Sequence, residues 1–309
     1  MRFFHKPAAS ILPAYLFCII ILGAATGCSL SSASSPRAPG PIPPPSGALP
    51  TFGHVILVVE ENHNYSEVIG NSAMPYLNSL ASQYGLATQY FANTHPSIGN
   101  YFMLTTGQLV TNDDGFIGTV GADNIVRNVI ASGKTWKSYS ENIPSTGYIG
   151  GDSYPYAKRH NPFAYFADVV NSSTQVNNLV SLSQFTSDLA NKQLPNFSYL
   201  VPNLLNDAHD GSLQLADAWL QRNIAPLISS TLFQTDGLLI IVFDESDTSD
   251  STHGGGHVAA FIISPKAKQS YQSTTTYQHQ STLRLILEGL EIQNLPAAAG
   301  TAPEMSEFF

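Results

Sequence analysis

The sequence predicts an α/β fold, a three-layer α/β/α sandwich around a mainly parallel central sheet. Three observations carry this. Strand-like apolar runs alternate with helix-like segments between residues 54 and 290. The strongest runs, "HVILVVEEN" (54–62) and "GLLIIVFDE" (237–245), are apolar without alternation, as strands covered on both faces are. Both runs end in acids. Polar groups are thereby delivered to strand C-terminal ends, where sheets of this kind bind ligands.

Taken from the start, residues 1–27 have the form of an export signal. Arg2 and Lys6 precede a mostly apolar run from Ile11 to Ala25, and small residues lead into Cys28 in "AATGCSL". The run is shorter than the ~20 residues of a membrane-spanning helix. Its ending is similar to a bacterial lipobox, with Ala25 where Leu is usual. Cys28 is expected to carry lipid and to begin the mature chain, anchored at the cell envelope; the protein is simply secreted if the lipobox is not used. Residues 28–50 are rich in Ser, Pro and Gly and suit an extended tether. One domain follows, residues 51–309.

Composition removes several classes of function. The two cysteines are Cys18, inside the signal, and Cys28. A disulfide framework, a Cys-ligated zinc site and a cysteine nucleophile are therefore excluded from the mature domain. The formal net charge is −9, and the signal holds two basic residues and no acid. The mature chain is more acidic still, which disfavours nucleic acid and leaves lipid as the only expected membrane attachment. An anionic substrate would need a local positive centre to overcome this field.

Within the domain, "HVILVVEEN" is the first strand. "MPYLNSLASQYG" (74–85) has helical apolar spacing and a terminal glycine. "LATQYFA" (86–92) is a strand, and "SIGNYFMLTTG" (97–107) a helix that starts after a proline corner. "FSYLVPN" (197–203) is a short strand. "GSLQLADAWLQRNIAPLI" (211–228) is a helix with Leu213, Ala216, Leu220, Ile224 and Leu227 on one side. "GLLIIVFDE" and "VAAFIIS" (258–264) are strands. "STLRLILEGL" (281–290) is a helix with Ser281 as its expected N-cap.

The strand ends bring Glu60, Glu61, Asn62, Asp244, Glu245 and Ser97 to one edge. An acid after a strand is by itself an ordinary loop start, and a serine after proline an ordinary cap. Together, Glu61, Asn62, Asp244 and Glu245 offer hard oxygen donors for one divalent ion, Mg²⁺, Ca²⁺ or Mn²⁺. Ser97 has no base beside it in sequence; metal coordination is a way to activate such a serine. Its place at a helix N-terminus favours an anion, and phosphate is the anion implied.

"VVEENHNYSEVIG", "THPSIGNYFMLTTG", "KRHNPFAYF", "NDAHDGS" and "IIVFDESD" occur in the order found in the bacterial phosphoesterase family. The chain resembles the secreted acid phosphatases and phospholipases C of that family, within the alkaline-phosphatase-like superfamily. The resemblance covers most of residues 54–290 and makes residues 51–309 a phosphoesterase domain. It implies that Glu61 with Asn62, and Asp244 with Glu245, are metal-binding pairs. It implies that Ser97 is the phosphorylated nucleophile, and that His160 and His209 contact the phosphate and its leaving group. Asn100, Arg159 and Asp210 lie inside the same motifs and are expected near the site. Two-zinc alkaline phosphatases have an Asp-His pair where this chain has Asp-Glu, so one oxygen-rich metal site is expected. His253 and His257 in "HGGGH" are four apart, but three glycines oppose a helix; a mobile loop near the site is expected. His279 is expected to be structural, and His95 to shape the serine corner.

These features predict an exported, metal-dependent phosphomonoesterase, expected to be a monomer, acting on a small phosphate ester through a phosphoserine. A phosphodiesterase or phospholipase C is the alternative within the family. An inactive surface-binding lipoprotein is the alternative outside it.

Overall fold

The computed structural model describes residues 49–309. The signal, Cys28 and nearly all of the tether lie outside the described residues. Nine strands form one sheet: β1 (His54–Glu60), β2 (Gly85–Phe91), β3 (Trp136–Ser140), β4 (Leu179–Ser181), β5 (Phe197–Val201), β6 (Gly237–Phe243), β7 (His257–Ile263), β8 (Tyr271–Ser273) and β9 (Tyr277–Gln278). Their order is β4-β3-β5-β1-β6-β7-β2-β8, with β9 also on β2. Only β7 runs against its neighbours. Every residue of β6 is buried, so both faces of the sheet are covered. Helix Pro75–Gln83 packs on helix Leu213–Ser229; helix Ser97–Thr106 packs on helix His279–Gly289. The result is an α/β sandwich with a mostly parallel sheet.

β1 sits between β5 and β6, paired in register with both. Val55 to Val59 are buried, and so are the residues they face on β6. This central placement explains the unbroken apolar runs in both strands. It also explains why their polar ends converge: Glu60 pairs with Phe243 at the last rung, so Glu61 and Asp244 leave the sheet side by side. β2 delivers the chain to the same edge, and helix Ser97–Thr106 follows. All ten residues of that helix are buried, and Gly107 closes it in the left-handed conformation at φ 70°.

One cap differs from expectation. The last helix begins at His279 with Gln278 as its N-cap, and Ser281 is buried in its first turn. The cause is β9: Tyr277 and Gln278 pair with Tyr90 and Phe91, which fixes the chain two residues before the expected start. Among the described residues, no helix is long and apolar enough to cross a membrane.

Ile240 is fully buried on the central strand β6. Ile240→Ala should cost about 2–5 kcal/mol through lost burial and the cavity left behind. Urea unfolding followed by circular dichroism should show a lower midpoint with little change in slope.

Candidate active site

The site is built outward from Glu61. Its backbone N–H donates to Asp207 O at 2.8 Å, which fixes the residue just beyond β1. Its side chain is buried and points two ways. Ser97 Oγ donates to Glu61 Oε2 at 3.1 Å. Tyr101 OH donates to Glu61 Oε1, and His160 Nε2 lies 3.4 Å from the same oxygen. Tyr101 is one helical turn after Ser97, so both side chains share one face of their helix.

The second strand end closes on the serine from the other side. Ser97 Oγ also lies 3.3 Å from Glu245 Oε1. The other oxygen of Glu245 meets His95 Nδ1 at 2.8 Å, and His95 Nε2 faces Asp250 O at 3.0 Å. Asp244 Oδ1 accepts backbone N–H groups from Glu245 at 2.6 Å and Asn62 at 3.2 Å. Asn62 takes φ 49°, a left-handed conformation that asparagine tolerates and that turns its N–H toward Asp244. Asp244 Oδ2 and Asn62 Oδ1 are buried without a hydrogen-bond partner.

His160 occupies the far side. Its Nδ1 is 3.2 Å from Asp207 Oδ2, and its ring stacks on Tyr101 with centroids 5.1 Å apart. Its Nε2 has no hydrogen-bond partner. Glu61, His160 and Asp207 each offer one ligand atom within 4.8 Å of the others, a buried group able to bind a metal ion. His209 lies at the rim, its Nδ1 2.7 Å from Asp210 and its Nε2 3.4 Å from Arg159 Nη2.

Crowding sets the electrostatics. Burial, then the charge of Asp244, holds the Glu61 carboxyl well above the usual carboxylate range. Burial, then Glu245, does the same to Asp244. Burial pushes Glu245 up to about 8 and Asp207 up to about 7. Burial, then Arg159 and His209, holds the His160 imidazole well below its ordinary value.

The expected residues divide in three. Glu61, Asn62, Ser97, Asp244, Glu245, His160 and His95 are brought together, with His209, Arg159 and Asp210 at the rim. His279 and Asn100 support the site from behind. His279 Nε2 donates to Asp244 O at 2.6 Å and its Nδ1 meets Tyr90 OH at 3.1 Å; burial holds the ring neutral, with its pKa down at about 4. Asn100 Oδ1 accepts Asn93 N–H at 2.9 Å and Thr94 N–H at 3.2 Å, which shapes the turn into His95. Glu60 and His257 stand apart. The buried Glu60 carboxylate has no partner. His257 Nε2 faces Thr88 O, and its ring stacks on Tyr65 and Phe91. The "HGGGH" loop is tied down by hydrogen bonds of Gly255 and Gly256 to Ala92, where a mobile loop was expected. Asp207 and Tyr101 are the residues that sequence reasoning passed over. Both lay inside quoted motifs, and the one-turn spacing of Tyr101 from Ser97 was a usable signal.

The Phosphoesterase family model matches residues 70–293, a span that takes in Ser97, His160, Asp207, His209, Asp244 and Glu245. The chain is 34% identical to a phosphatidylinositol-3-phosphatase of Mycobacterium tuberculosis over 206 residues, 66% of this chain and 67% of that one. It is 29% identical to a probable acid phosphatase of Kluyveromyces lactis over 260 residues, 81% of this chain and 61% of that one. The chain thus spans about two thirds of the length of these curated relatives. A Vibrio parahaemolyticus protein of the alkaline phosphatase superfamily shares the fold at a TM-score of 0.57, with 13% identity, over 83% of this chain and 71% of that one. With most of its length matched by that family model, and the strand-end carboxylates and Ser97 gathered at one sheet edge, the chain belongs to the phosphoesterase family, a family of phosphoric ester hydrolases.

Proposed function

We propose that the protein is an exported, metal-dependent phosphomonoesterase with Ser97 as nucleophile. One observation carries the reading: Ser97 Oγ sits at a helix N-terminus within hydrogen-bond reach of carboxylates from two different strand ends, Glu61 at 3.1 Å and Glu245 at 3.3 Å. Similarity to acid phosphatases and to a phosphatidylinositol-3-phosphatase supports a monoester substrate, either a small soluble ester or a phosphorylated headgroup. An inactive binding protein would have no need of this intact set.

The donor chemistry fits a divalent cation. Buried carboxylates crowd together, and the orphaned oxygens Asp244 Oδ2 and Asn62 Oδ1 lack any other partner. Glu61, Asn62, Asp244 and Glu245 would hold the ion. His160 joins them as a nitrogen donor, a change from its expected part in binding phosphate. Its Nδ1 faces the Asp207 carboxylate and its Nε2 faces Glu61, the form of a ligand imidazole oriented by an outer carboxylate. Such an ion supplies positive charge that favours the serine alkoxide and neutralises phosphoryl oxygens.

The residues supply the rest. The Ser97 proton passes to Glu245, whose Oε1 lies 3.3 Å from Oγ. Oγ attacks phosphorus, the bond to the leaving oxygen breaks, and His209 protonates that oxygen. Asp210 orients His209 from 2.7 Å. Water then attacks the phosphoserine and gives a proton to His209. Ser97 recovers its proton from Glu245 and phosphate departs. Arg159 and the Ile98 N–H offer charge and a donor to the equatorial oxygens.

Ser97→Ala should lower turnover of an aryl phosphate monoester by orders of magnitude with the thermal melt unchanged. A folded variant with near-wild-type turnover would remove Ser97 from the chemistry. Aryl monoester and diester substrates tested side by side should favour the monoester.

The metal makes a prediction through pH. A carboxyl whose pKa is raised on folding contributes stability that is present below its unfolded value and lost as pH rises through its folded value. For Asp207 and Glu245 that loss accumulates from the ordinary carboxylate range and is complete only above about 7 and about 8. Chelated protein should therefore melt at a lower temperature at about pH 9 than at about pH 6.5, a window above the range where His279 titrates. Magnesium or manganese should narrow the gap; scanning calorimetry with and without chelator checks this.

Export and lipid anchoring rest on the basic n-region, the apolar run and the small residues before Cys28. Mass spectrometry of the mature N-terminus should find a lipidated Cys28. An unlipidated start elsewhere would leave a simply secreted enzyme.

A further inference from the structure

Residues 108–119 follow the Ser97 helix and fold back over its start. Val110 takes φ 49°, unusual for a β-branched residue. Asn112 Nδ2 donates to Thr94 Oγ1 at 2.8 Å. The approach needs Gly99, where a Cβ would meet the side chains of Asn112 and Thr94. At the tip, Asp114 Oδ1 accepts the Ile98 N–H at 3.1 Å, and its Oδ2 lies 3.9 Å from Arg159 Nε. Ile98 is the residue after the nucleophile, and its N–H is one of the unsatisfied donors of a helix start, where an anion is favoured. Arg159 is only 14% exposed and lies against His209. Asp114 also helps to raise Glu245, so its charge is felt inside the site.

We propose that Asp114 is a resident stand-in for a phosphate oxygen: in the free protein it occupies the Ile98 N–H and faces Arg159 Nε from 3.9 Å, on the side opposite the Nη1 that Asp152 holds at 3.0 Å, and it yields this place to the phosphoryl group that binds beside Ser97. This rests on the phosphatase reading above. The two groups it engages are those an equatorial oxygen would need. The carboxylate is 37% exposed, on a loop whose Ile117 is 92% exposed, so its way out is toward solvent. A carboxylate and a phosphate cannot share these donors without strong repulsion. The resident acid therefore sets a threshold that an entering ligand must exceed. Weak anions are held off, and product phosphate is expelled more readily when the loop returns.

Inorganic phosphate is the probe, because its binding can be read without turnover. Calorimetry on the full chain in magnesium buffer at low salt compares wild type with Asp114→Asn, which keeps the shape and removes the charge, and Asp114→Ala, which empties the place. Both should bind phosphate about tenfold more tightly than wild type. Asp113→Asn, on the same exposed turn, should not. With an aryl phosphate, KM should fall while kcat moves by less than about twofold. Unchanged or weaker phosphate binding in both Asp114 variants, with cooperative melts, overturns the proposal and makes Asp114 a positioning group for Arg159. Absence of binding in wild type and in both Asp114 variants overturns it as well. A wild-type chain that binds phosphate but hydrolyses no ester would instead refute the phosphatase reading, with the calorimetric comparison still deciding the place of Asp114.

Discussion

Buried like charge is the constraint on which this structure depends. Glu61, Asp207, Asp244 and Glu245 come from three separate stretches of the chain to one edge of the sheet beside Ser97, and all four are buried. Ionised carboxylates so placed repel each other and are poorly solvated, and each is driven toward its neutral form. A site of this kind is stable only with protons or a cation among the oxygens. Its opposition to folding must be met by the rest of the domain.

The frame meets it with rigidity. β1 and β6 are paired over seven rungs, from His54 and Gly237 to Glu60 and Phe243, so the acidic ends cannot drift apart. Backbone N–H groups of Asn62 and Glu245 hold Asp244 in place. His279 secures the carbonyl of the same residue from below. Each device is a neutral donor. The protein positions these carboxyls with dipoles, and among the described residues no lysine or arginine forms an ion pair with them, which keeps the site attractive to a cation.

Much of this was legible in the sequence, for physical reasons. β1 and β6 are central and covered on both faces, so burial alone dictates their composition, and their acidic ends stood out. Ser97 was marked by its proline corner. β3 and β4 escaped notice: "WKSYS" mixes polar and apolar residues, and β4 has only three residues, so these strands exist by pairing with β5 and with each other. The His160–Asp207 pair was hidden for a related reason. The two residues are 47 apart in sequence, and nothing local shows that one orients the other. Ser281 failed as a cap because a remote strand contact, not the helix's own signal, fixed where the helix starts.

The Ser97 helix has no solvent face, since all ten of its residues are buried. A serine carried on such a helix cannot be re-aimed by small changes at the surface. Diversification must then act on what surrounds it. Segments such as 108–119 and the turn bearing Arg159 can be exchanged while Ser97 and the strand-end carboxyls stay fixed. The architecture separates inheritance of a reaction from choice of a substrate. Relatives with different ester preferences should differ mainly in these rims, and an engineer seeking a new substrate would graft loops onto an untouched helix.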